Sequence, residues 1–245
     1  MRISFVIPTW HYFNDPFKLQ PYWELYYATI LKNQLGDKAD INLIDLRGKS
    51  KNKNKFDDVV SSIEERDFYL YWVMKTGDAN EVYSIVKSLK KKFPNSKHIA
   101  GGTHVDMLAD ECEKIFDTII VGPGENNFNL ALKSSLSKLA EPYTSVPFAE
   151  TIYPDRSLLP YNSVFSKEMF KQYGQYNATM VYFSRGCFYN CSYCVYNVPN
   201  TLQSKSAKKI EEEISYLKNK FEVEAILLKD EIALNPNKKI FYPQM

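Results

Sequence analysis

The sequence predicts an α/β protein: a doubly wound, Rossmann-like parallel sheet followed by a second, smaller βα unit. Three observations carry this prediction. Strand and helix signals alternate over residues 1–138, the strands are short continuous apolar runs, and prolines punctuate the stretch that follows. Alternation of this kind with apolar strands is typical of a parallel sheet covered by helices on both faces and joined by right-handed crossovers.

The first segment, residues 1–138, contains five predicted strands with helices between them. The strands are Ile3–Ile7, Ile41–Leu46, Phe68–Met74, His98–Ala100 and Thr118–Val121. The helices are Tyr22–Leu35, Phe56–Glu65, Asn80–Phe93, Val105–Ile115 and Asn126–Leu136. In doubly wound sheets ligands bind beyond the carboxyl ends of the strands, so the loops after these strands are the first candidates for a site.

The next two segments differ in character. Residues 139–176 contain four prolines and little periodicity, which predicts a connector that runs over the surface. Residues 177–245 begin a second unit with a strand at Met180–Phe183, a helix from about Ala207 and another strand at Ala225–Leu228. The apolar face of that helix is predicted to be Ile210, Ile214, Leu217 and Phe221.

Composition excludes several classes of protein. The 245 residues include 31 Lys and Arg against 29 Asp and Glu, and this balance does not favour a nucleic-acid partner. We find no apolar run long enough to span a membrane and no signal-peptide pattern at Met1. Four cysteines, three of them clustered, fit metal binding in a reducing compartment better than a disulfide framework, so we expect a cytoplasmic protein.

Two glycine-bearing loops follow neighbouring predicted strands. One is Gly101-Gly102-Thr103-His104 and the other is Gly122-Pro123-Gly124-Glu125. Glycine lets a backbone approach a ligand closely or adopt a positive φ, and a following helix N-terminus can hold phosphate. Tight turns alone would also need these glycines, so a ligand site and a purely structural role both stay open.

The most informative feature is the spacing C-x-x-x-C-x-x-C formed by Cys187, Cys191 and Cys194. A structural zinc site needs four ligands, and the remaining cysteine, Cys112, lies in the first segment within a helical pattern. An electron-transfer cluster would also have four cysteines. Three unrelated buried thiols within eight residues are less favoured still. The spacing therefore favours an iron–sulfur cluster with one open iron.

The stretch Ser184–Cys194 resembles the signature of the radical S-adenosylmethionine superfamily, with an aromatic residue, Tyr193, just before the last cysteine. The resemblance implies a [4Fe–4S] cluster on the three clustered cysteines and an open iron that binds S-adenosylmethionine. It also implies an external electron donor, because one electron cleaves the sulfonium to release a 5′-deoxyadenosyl radical. Tyr193 would lie near the adenine.

An acidic pair follows the last predicted strand. Asp230 and Glu231 resemble the family's acidic segment that meets the methionine ammonium group, and Glu231 is the better candidate of the two. The alternative is an exposed acidic pair at the end of a strand, without a ligand.

The first segment and connector resemble the subclass of this superfamily that has a cobalamin-binding domain, and Asp155–Pro160 in the connector contributes to the likeness. The resemblance implies that the two glycine loops contact cobalamin, if it binds. The residues concerned are Gly101, Gly102, His104, Gly122, Gly124 and Glu125. Domains that ligate cobalt through histidine carry D-x-H-x-x-G, whereas this chain has Thr9, His11 and Asn14. Lacking an orienting carboxylate, His11 is expected to be a loop residue rather than a cobalt ligand.

The second unit is short for a catalytic domain of this family, which is a partial TIM-type βα barrel. Residues 177–245 leave room only for its first βα units. We therefore expect a fragment, a chain completed by a protein partner, or a decayed enzyme. The implied reaction is reductive cleavage of S-adenosylmethionine for methyl transfer or radical rearrangement on an unknown small molecule or peptide. The alternative is a non-catalytic protein that binds a corrinoid or nucleotide, or docks a partner.

Overall fold

The computed structural model describes residues 1–49, 56–148, 152–189, 191–194 and 202–232, without the side chains of residues 56 and 57. Residues 233–245, the end of the predicted second unit, lie outside that description. The chain divides into two compact units. The first comprises Met1–Pro16 and Trp23–Pro142, and the second comprises Phe17–Tyr22 and Tyr143–Met245.

The first unit is built on a parallel sheet of six strands in the order β2-β1-β3-β4-β5-β6. The strands are β1 (Arg2–Ile7), β2 (Asp40–Asp45), β3 (Phe68–Trp72), β4 (Lys97–Gly101), β5 (Thr118–Val121) and β6 (Lys138–Ala140). The α/β class and the first five strands are confirmed, but the count of five is wrong. The sixth strand has only three residues and no apolar run, so the periodicity of the sequence did not predict it.

The helices of the first unit are α1 (Tyr22–Leu35), α2 (Phe56–Ser61), α3 (Thr76–Lys92), α4 (Thr103–Met107), α5 (Ala109–Cys112) and α6 (Gly124–Ala131). The single helix predicted over Val105–Ile115 is two short ones, because the backbone at Leu108 leaves the helical region (φ −123°, ψ 45°). The helix predicted over Asn126–Leu136 begins earlier and ends at Ala131, where the chain turns toward β6.

The two faces of this sheet are packed differently. Along β3, Tyr69 and Tyr71 lie in an aliphatic-rich core with residues of α3, while Trp72 contacts the opposite, aromatic side. On that side the Tyr27 and Trp72 rings are 4.4 Å apart, and Phe5 and Phe128 meet edge to face at 5.2 Å. Alternate strand residues point to opposite faces, so one strand supplies both cores. Much of the chain's aromatic content thus serves packing.

The second unit contains a parallel βαβ arrangement. Strand β7 (Ala178–Val181) leads through the cysteine loop to α8 (Ala207–Phe221) and then to β10 (Ala225–Leu228), which pairs with β7 in parallel register. Between β7 and α8, the two-residue strands β8 (Ser184–Arg185) and β9 (Gln203–Ser204) pair antiparallel. The predicted strand, helix and strand are present, whereas the β8–β9 pair was not predicted.

The segment predicted to be a surface connector contributes buried side chains to the second unit. It contains a short helix, α7 (Tyr161–Val164), and Phe148 and Arg156 are almost fully buried. The Arg156 guanidinium donates to the Met180 carbonyl of β7 (2.9 Å) and to Glu213 of α8 (3.3 Å). The segment is therefore part of the second unit's core as well as a link.

Candidate functional site

The cysteine loop begins directly after β8 with a turn at Gly186, whose φ is +83°. Cys187 is partly buried and its sulfur accepts a hydrogen bond from the Tyr189 backbone N–H (3.3 Å). Cys191 and Cys194 are exposed, and the Cys194 N–H donates to the Cys191 carbonyl at 3.0 Å. This part of the loop is a tight turn that presents thiols to solvent.

Among the described residues, no three His, Cys, Asp or Glu side chains are gathered as a metal site, so the structure does not bring the three sulfurs together. The donor set nevertheless fits the cluster that the spacing predicts. Three thiols are soft ligands suited to an iron–sulfur cluster, and two are accessible to iron. The N–H···S contact at Cys187 is also of the kind that tunes cluster sulfurs.

Tyr193 is 86% exposed, and no aromatic partner for its ring is recorded in the part of the chain that the structure describes. A hydrogen bond to Cys191 raises the pKa of its phenol. Its place beside the last cysteine of the loop is compatible with a contact to a bound adenine. That role stays a prediction.

The acidic pair after β10 divides into two different environments. Asp230 is mostly buried, and its carboxylate accepts from the Phe183 backbone N–H and the Ser184 hydroxyl, both at 2.8 Å. Burial raises the pKa of Asp230, against these hydrogen bonds. Glu231 is exposed. Asp230 thus ties the end of β10 to the strand that leads into the cysteine loop, which leaves Glu231 as the more accessible carboxylate for a ligand.

The second unit also contains a buried ionic group that the sequence did not reveal. Glu213 of α8 is fully buried and bonds to Lys205 (2.7 Å) as well as to Arg156. Burial lowers the pKa of Lys205, while the Glu213 charge opposes that shift. The predicted apolar face of α8 placed Ile214 inside, yet Ile214 is 40% exposed and Glu213 takes the buried position. In the sequence, Glu213 is only a charged residue near apolar ones, and nothing there indicates that it is buried and paired.

The first unit has its own candidate site at the carboxyl edge of the sheet. The order β2-β1-β3 makes the gap between β1 and β3 the point where the strand order reverses, and ligands bind at such points. Here the His11 imidazole Nδ1 lies 3.0 Å from Glu81 of α3, which also accepts from the Thr9 backbone N–H. The expectation that His11 lacks an orienting carboxylate is therefore wrong. Glu81 is 70 residues away in sequence, so the local motif could not reveal it.

Several charged side chains are buried at this edge. Arg47 is almost fully buried and pairs with Asp45 at 2.7 Å. Burial raises the pKa of Glu24 to about 7, and the nearby charges of Asp78 and Asp45 add to that shift while Arg47 opposes it. Burial likewise raises the pKa of Asp78, which accepts a hydrogen bond from the Tyr12 hydroxyl. Carboxyl groups whose pKa values are raised by burial and by charged neighbours are frequent at functional sites.

The fold itself requires two of the predicted ligand-contact glycines. Gly102 has φ +108°, and a Cβ there would lie 2.6 Å from the Val73 carbonyl oxygen. Gly122 has φ +104°, and its Cβ would lie 1.9 Å from the Glu141 carbonyl oxygen. A Cβ on Gly101 or Gly124 would also meet aromatic rings closer than 3.0 Å. Glycine at these positions is thus explained without a ligand, and cobalamin contact stays a prediction.

The two other predicted cobalamin contacts are also engaged within the first unit. Buried His104 meets the Tyr83 hydroxyl through Nε2 (2.8 Å) and the Thr76 hydroxyl through Nδ1 (3.2 Å). Burial lowers its pKa, which favours the neutral ring. Glu125 is buried and accepts from the Tyr26 hydroxyl at 3.1 Å.

Known proteins resemble the chain most clearly in structure. The structure of the radical S-adenosylmethionine methyltransferase TsrM from Kitasatospora setae, with tryptophan and a S-adenosylmethionine analogue bound, aligns over 94% of this chain and 47% of its own, with a TM-score of 0.61 and 13% identity. The cobalamin-dependent radical enzyme OxsB, with aqua-cobalamin bound, aligns over 96% of this chain and 35% of its own, with a TM-score of 0.66 and 19% identity. The chain has the fold of cobalamin-dependent radical S-adenosylmethionine enzymes. The resemblance read from the cysteine loop is thereby confirmed at the level of fold.

Sequence comparison points in the same direction. A bacteriochlorophyllide d C-8(2)-methyltransferase of Chlorobaculum tepidum is 26% identical over 124 residues, which cover 49% of this chain and 26% of that protein. No family model matches the chain. The chain spans about a quarter to a half of the length of these proteins. No helix among the described residues is long and apolar enough to cross a bilayer.

Proposed function

We propose that this chain is a radical S-adenosylmethionine protein that binds a [4Fe–4S] cluster and cleaves S-adenosylmethionine reductively, and that methyl transfer is its reaction. The observation that carries the proposal is the position of Cys187, Cys191 and Cys194 after the first strand of a βαβ unit. Active sites of βα-barrel folds lie at that end of the strands. The relatives named as methyltransferases favour methyl transfer over radical rearrangement.

Each residue has a task that follows from its surroundings. The three cysteines would hold the cluster, which supplies an electron to the sulfonium of S-adenosylmethionine from an external donor. Asp230 holds the strand before the loop, through Phe183 and Ser184. Glu231 and Tyr193 are both exposed, and they would contact the ammonium and adenine groups of the ligand. The buried carboxylate of Asp230 already accepts two hydrogen bonds and is poorly placed to bind the ammonium group of a ligand. Glu231 is therefore the better candidate.

The carboxyl edge of the first unit is the proposed cobalamin site. Its support is the reversal of strand order beside β1 and the pair His11–Glu81. The glycine loops after β4 and β5 follow strands of the same sheet and would contact the corrinoid there. A corrinoid carries amide side chains, and buried carboxyl groups such as Glu24 and Asp78 would accept hydrogen bonds from them or donate when protonated.

The rival proposal is a non-catalytic corrinoid-binding or docking protein. The observation that favours it is the carboxyl edge of the first unit, where the reversal of strand order and buried carboxyl groups form a candidate site without the cysteines. Under this proposal the cysteine loop would bind no cluster that reacts with S-adenosylmethionine. The enzymatic proposal needs further strands of the barrel for a substrate pocket, and a protein partner is one source of them.

Anaerobic reconstitution with iron and sulfide tests the enzymatic proposal. We expect close to four irons per chain, an electron paramagnetic resonance signal on reduction that changes with S-adenosylmethionine, and release of 5′-deoxyadenosine. The matched control is the variant with Cys187→Ala, Cys191→Ala and Cys194→Ala, which keeps the fold and loses all three signals. A reconstituted cluster that releases no 5′-deoxyadenosine under a strong reductant would favour the rival.

Cobalamin binding is tested separately. The protein is incubated with hydroxocobalamin and desalted, and its visible spectrum is recorded. A corrinoid spectrum that stays with the protein supports the first unit's proposed site. A protein without a corrinoid spectrum would contradict the proposed cobalamin site and would leave the proposal of a cluster unchanged.

A further inference from the structure

The base of the cysteine loop is closed by the antiparallel pair of β8 and β9. Ser184 pairs with Ser204 and Arg185 pairs with Gln203, while all three clustered cysteines lie in sequence between these strands. We call residues 184, 185, 203 and 204 the neck of the loop. One residue further out, the Lys205 N–H donates to the Phe183 carbonyl at 2.8 Å, which extends the pairing.

Arg185 joins the two strands of the neck and connects them to residues 143–148 of the second unit. Its Nε donates to Gln203 Oε1 across the strand pair at 2.8 Å. The same guanidinium donates to the carbonyl oxygens of Tyr143 (3.2 Å) and Val146, and lies 5.1 Å from the centre of the Phe148 ring. Only 4% of Arg185 is exposed. Such a buried cation makes strong hydrogen bonds and stacks on an aromatic face, which a lysine cannot reproduce.

The other side of the neck is anchored as well. Ser184 donates to the buried carboxylate of Asp230 at 2.8 Å, and the Lys205 ammonium is held by Glu213 at 2.7 Å. Both strands are thus attached to β10 and α8, the rest of the βαβ unit. The contacts that hold the ends of the cysteine loop therefore involve none of the three cysteines.

Resting on the proposed function, we infer that Arg185 is a positioning residue for the iron–sulfur cluster, acting through the neck. Arg185 is two residues before Cys187, so their Cα atoms are at most about 7.6 Å apart. Fixing both ends of the loop removes conformational freedom that cluster binding would otherwise have to remove. The neck therefore lowers the cost of gathering three thiolates and sets the orientation of the first one.

The hydrogen bond between Arg185 and Gln203 can be removed by changing Gln203, which leaves the buried Arg185 in place. The variant Gln203→Ala removes the acceptor, whereas Gln203→Glu keeps an acceptor at the same place. The control is Glu212→Ala, which removes a partly exposed ion pair with Lys209 (3.0 Å) on α8. A further variant, Arg185→Lys, keeps the charge but loses the planar donor fork.

All proteins are reconstituted anaerobically as the full chain. The readouts are iron per chain at limiting iron, the electron paramagnetic resonance spectrum with and without S-adenosylmethionine, and thermal unfolding of the apoprotein. We expect Gln203→Ala to bind iron roughly fivefold more weakly and to show an altered spectrum, about the effect of one hydrogen bond. Gln203→Glu and Glu212→Ala should match the parent chain, and Arg185→Lys should behave like Gln203→Ala or worse.

The outcomes separate this inference from the proposed function. A parent chain that binds no cluster overturns the proposed function. If the parent binds a cluster and Gln203→Ala has the same iron affinity and spectrum, Arg185 does not position the cluster. A loss of iron that only follows a loss of thermal stability, with an unchanged spectrum, equally overturns the inference in favour of a structural role.

Discussion

At the scale of single residues, the role of a side chain depends on the residue with which it interacts. His11 looked isolated in the local sequence, yet α3 supplies Glu81 as its partner. Asp230 and Glu231 are adjacent and chemically similar, yet one is buried in two hydrogen bonds and the other is exposed. Roles assigned from residue type alone cannot distinguish such cases, because the partners are distant in sequence.

Buried Glu24 makes the stability of the first unit depend on pH. Its pKa is raised from 4.5 to about 7, so the folded state retains a proton that the unfolded state has released between these values. The unfolding free energy contributed by this group therefore falls as pH rises from about 4.5 to about 7. Glu24→Gln should be near neutral at pH 4.5 and stabilising by up to about 3 kcal/mol at pH 8. Denaturant unfolding at both pH values checks this, and an equal effect at both would contradict it.

Gly122 provides a prediction from backbone geometry. Alanine at this position would combine φ +104° with a Cβ 1.9 Å from the Glu141 carbonyl oxygen. We expect Gly122→Ala to lower the unfolding free energy by more than about 3 kcal/mol, because backbone must move to relieve the clash. The matched control is Gly77→Ala, at an open position in α3 where alanine favours the helix by up to about 1 kcal/mol. Similar stabilities for the two variants would show that the β5–α6 loop adapts.

At the scale of elements, periodicity predicted the long pieces and missed the short ones. Strands β1 to β5 and helix α8 have enough apolar residues to reveal their type. The β8–β9 pair has four residues, none of them apolar, so it has no periodic pattern to detect. Nor did the pattern of α8 reveal that Glu213 is buried, since only the charges of Arg156 and Lys205 make that burial tolerable.

Removing Glu213 should therefore be costly. Glu213→Gln keeps the shape of the side chain but removes the charge that pairs with buried Arg156 and Lys205. Breaking a buried ionic group by deleting one partner costs about 3–5 kcal/mol, so we expect a loss of that order in denaturant unfolding. The control, Glu212→Gln, changes a partly exposed residue one position away and should alter the unfolding free energy by less than about 1 kcal/mol. Equal effects would show that the folded chain does not depend on the Glu213 charge.

At the scale of the whole molecule, the order of elements along the chain predicted the fold class, and the cysteine spacing predicted the family likeness. Neither could predict how the connector folds, because Arg156 and Phe148 are buried through contacts with elements that come later in the chain. Nor could the sequence show that the fold itself requires the glycines of the first unit, so it does not decide whether they contact cobalamin. Local patterns identify cofactors through their ligands, whereas substrate pockets depend on residues gathered from many elements.

The division of the chain into two units assigns the two proposed cofactors to different units. All three cysteines belong to the second, while His11, Glu81 and the glycine loops belong to the first. The variant with Cys187→Ala, Cys191→Ala and Cys194→Ala should thus bind no iron but retain hydroxocobalamin and the far-ultraviolet circular dichroism of the parent chain. Metal analysis and the visible spectrum after desalting measure both cofactors in one sample.

The reverse control, Gly102→Ala, strains a loop of the first unit and should weaken corrinoid retention while the reconstituted cluster still forms. If removing the cysteines also abolishes corrinoid binding, the two sites are coupled, and the cobalamin site cannot be a property of the first unit alone.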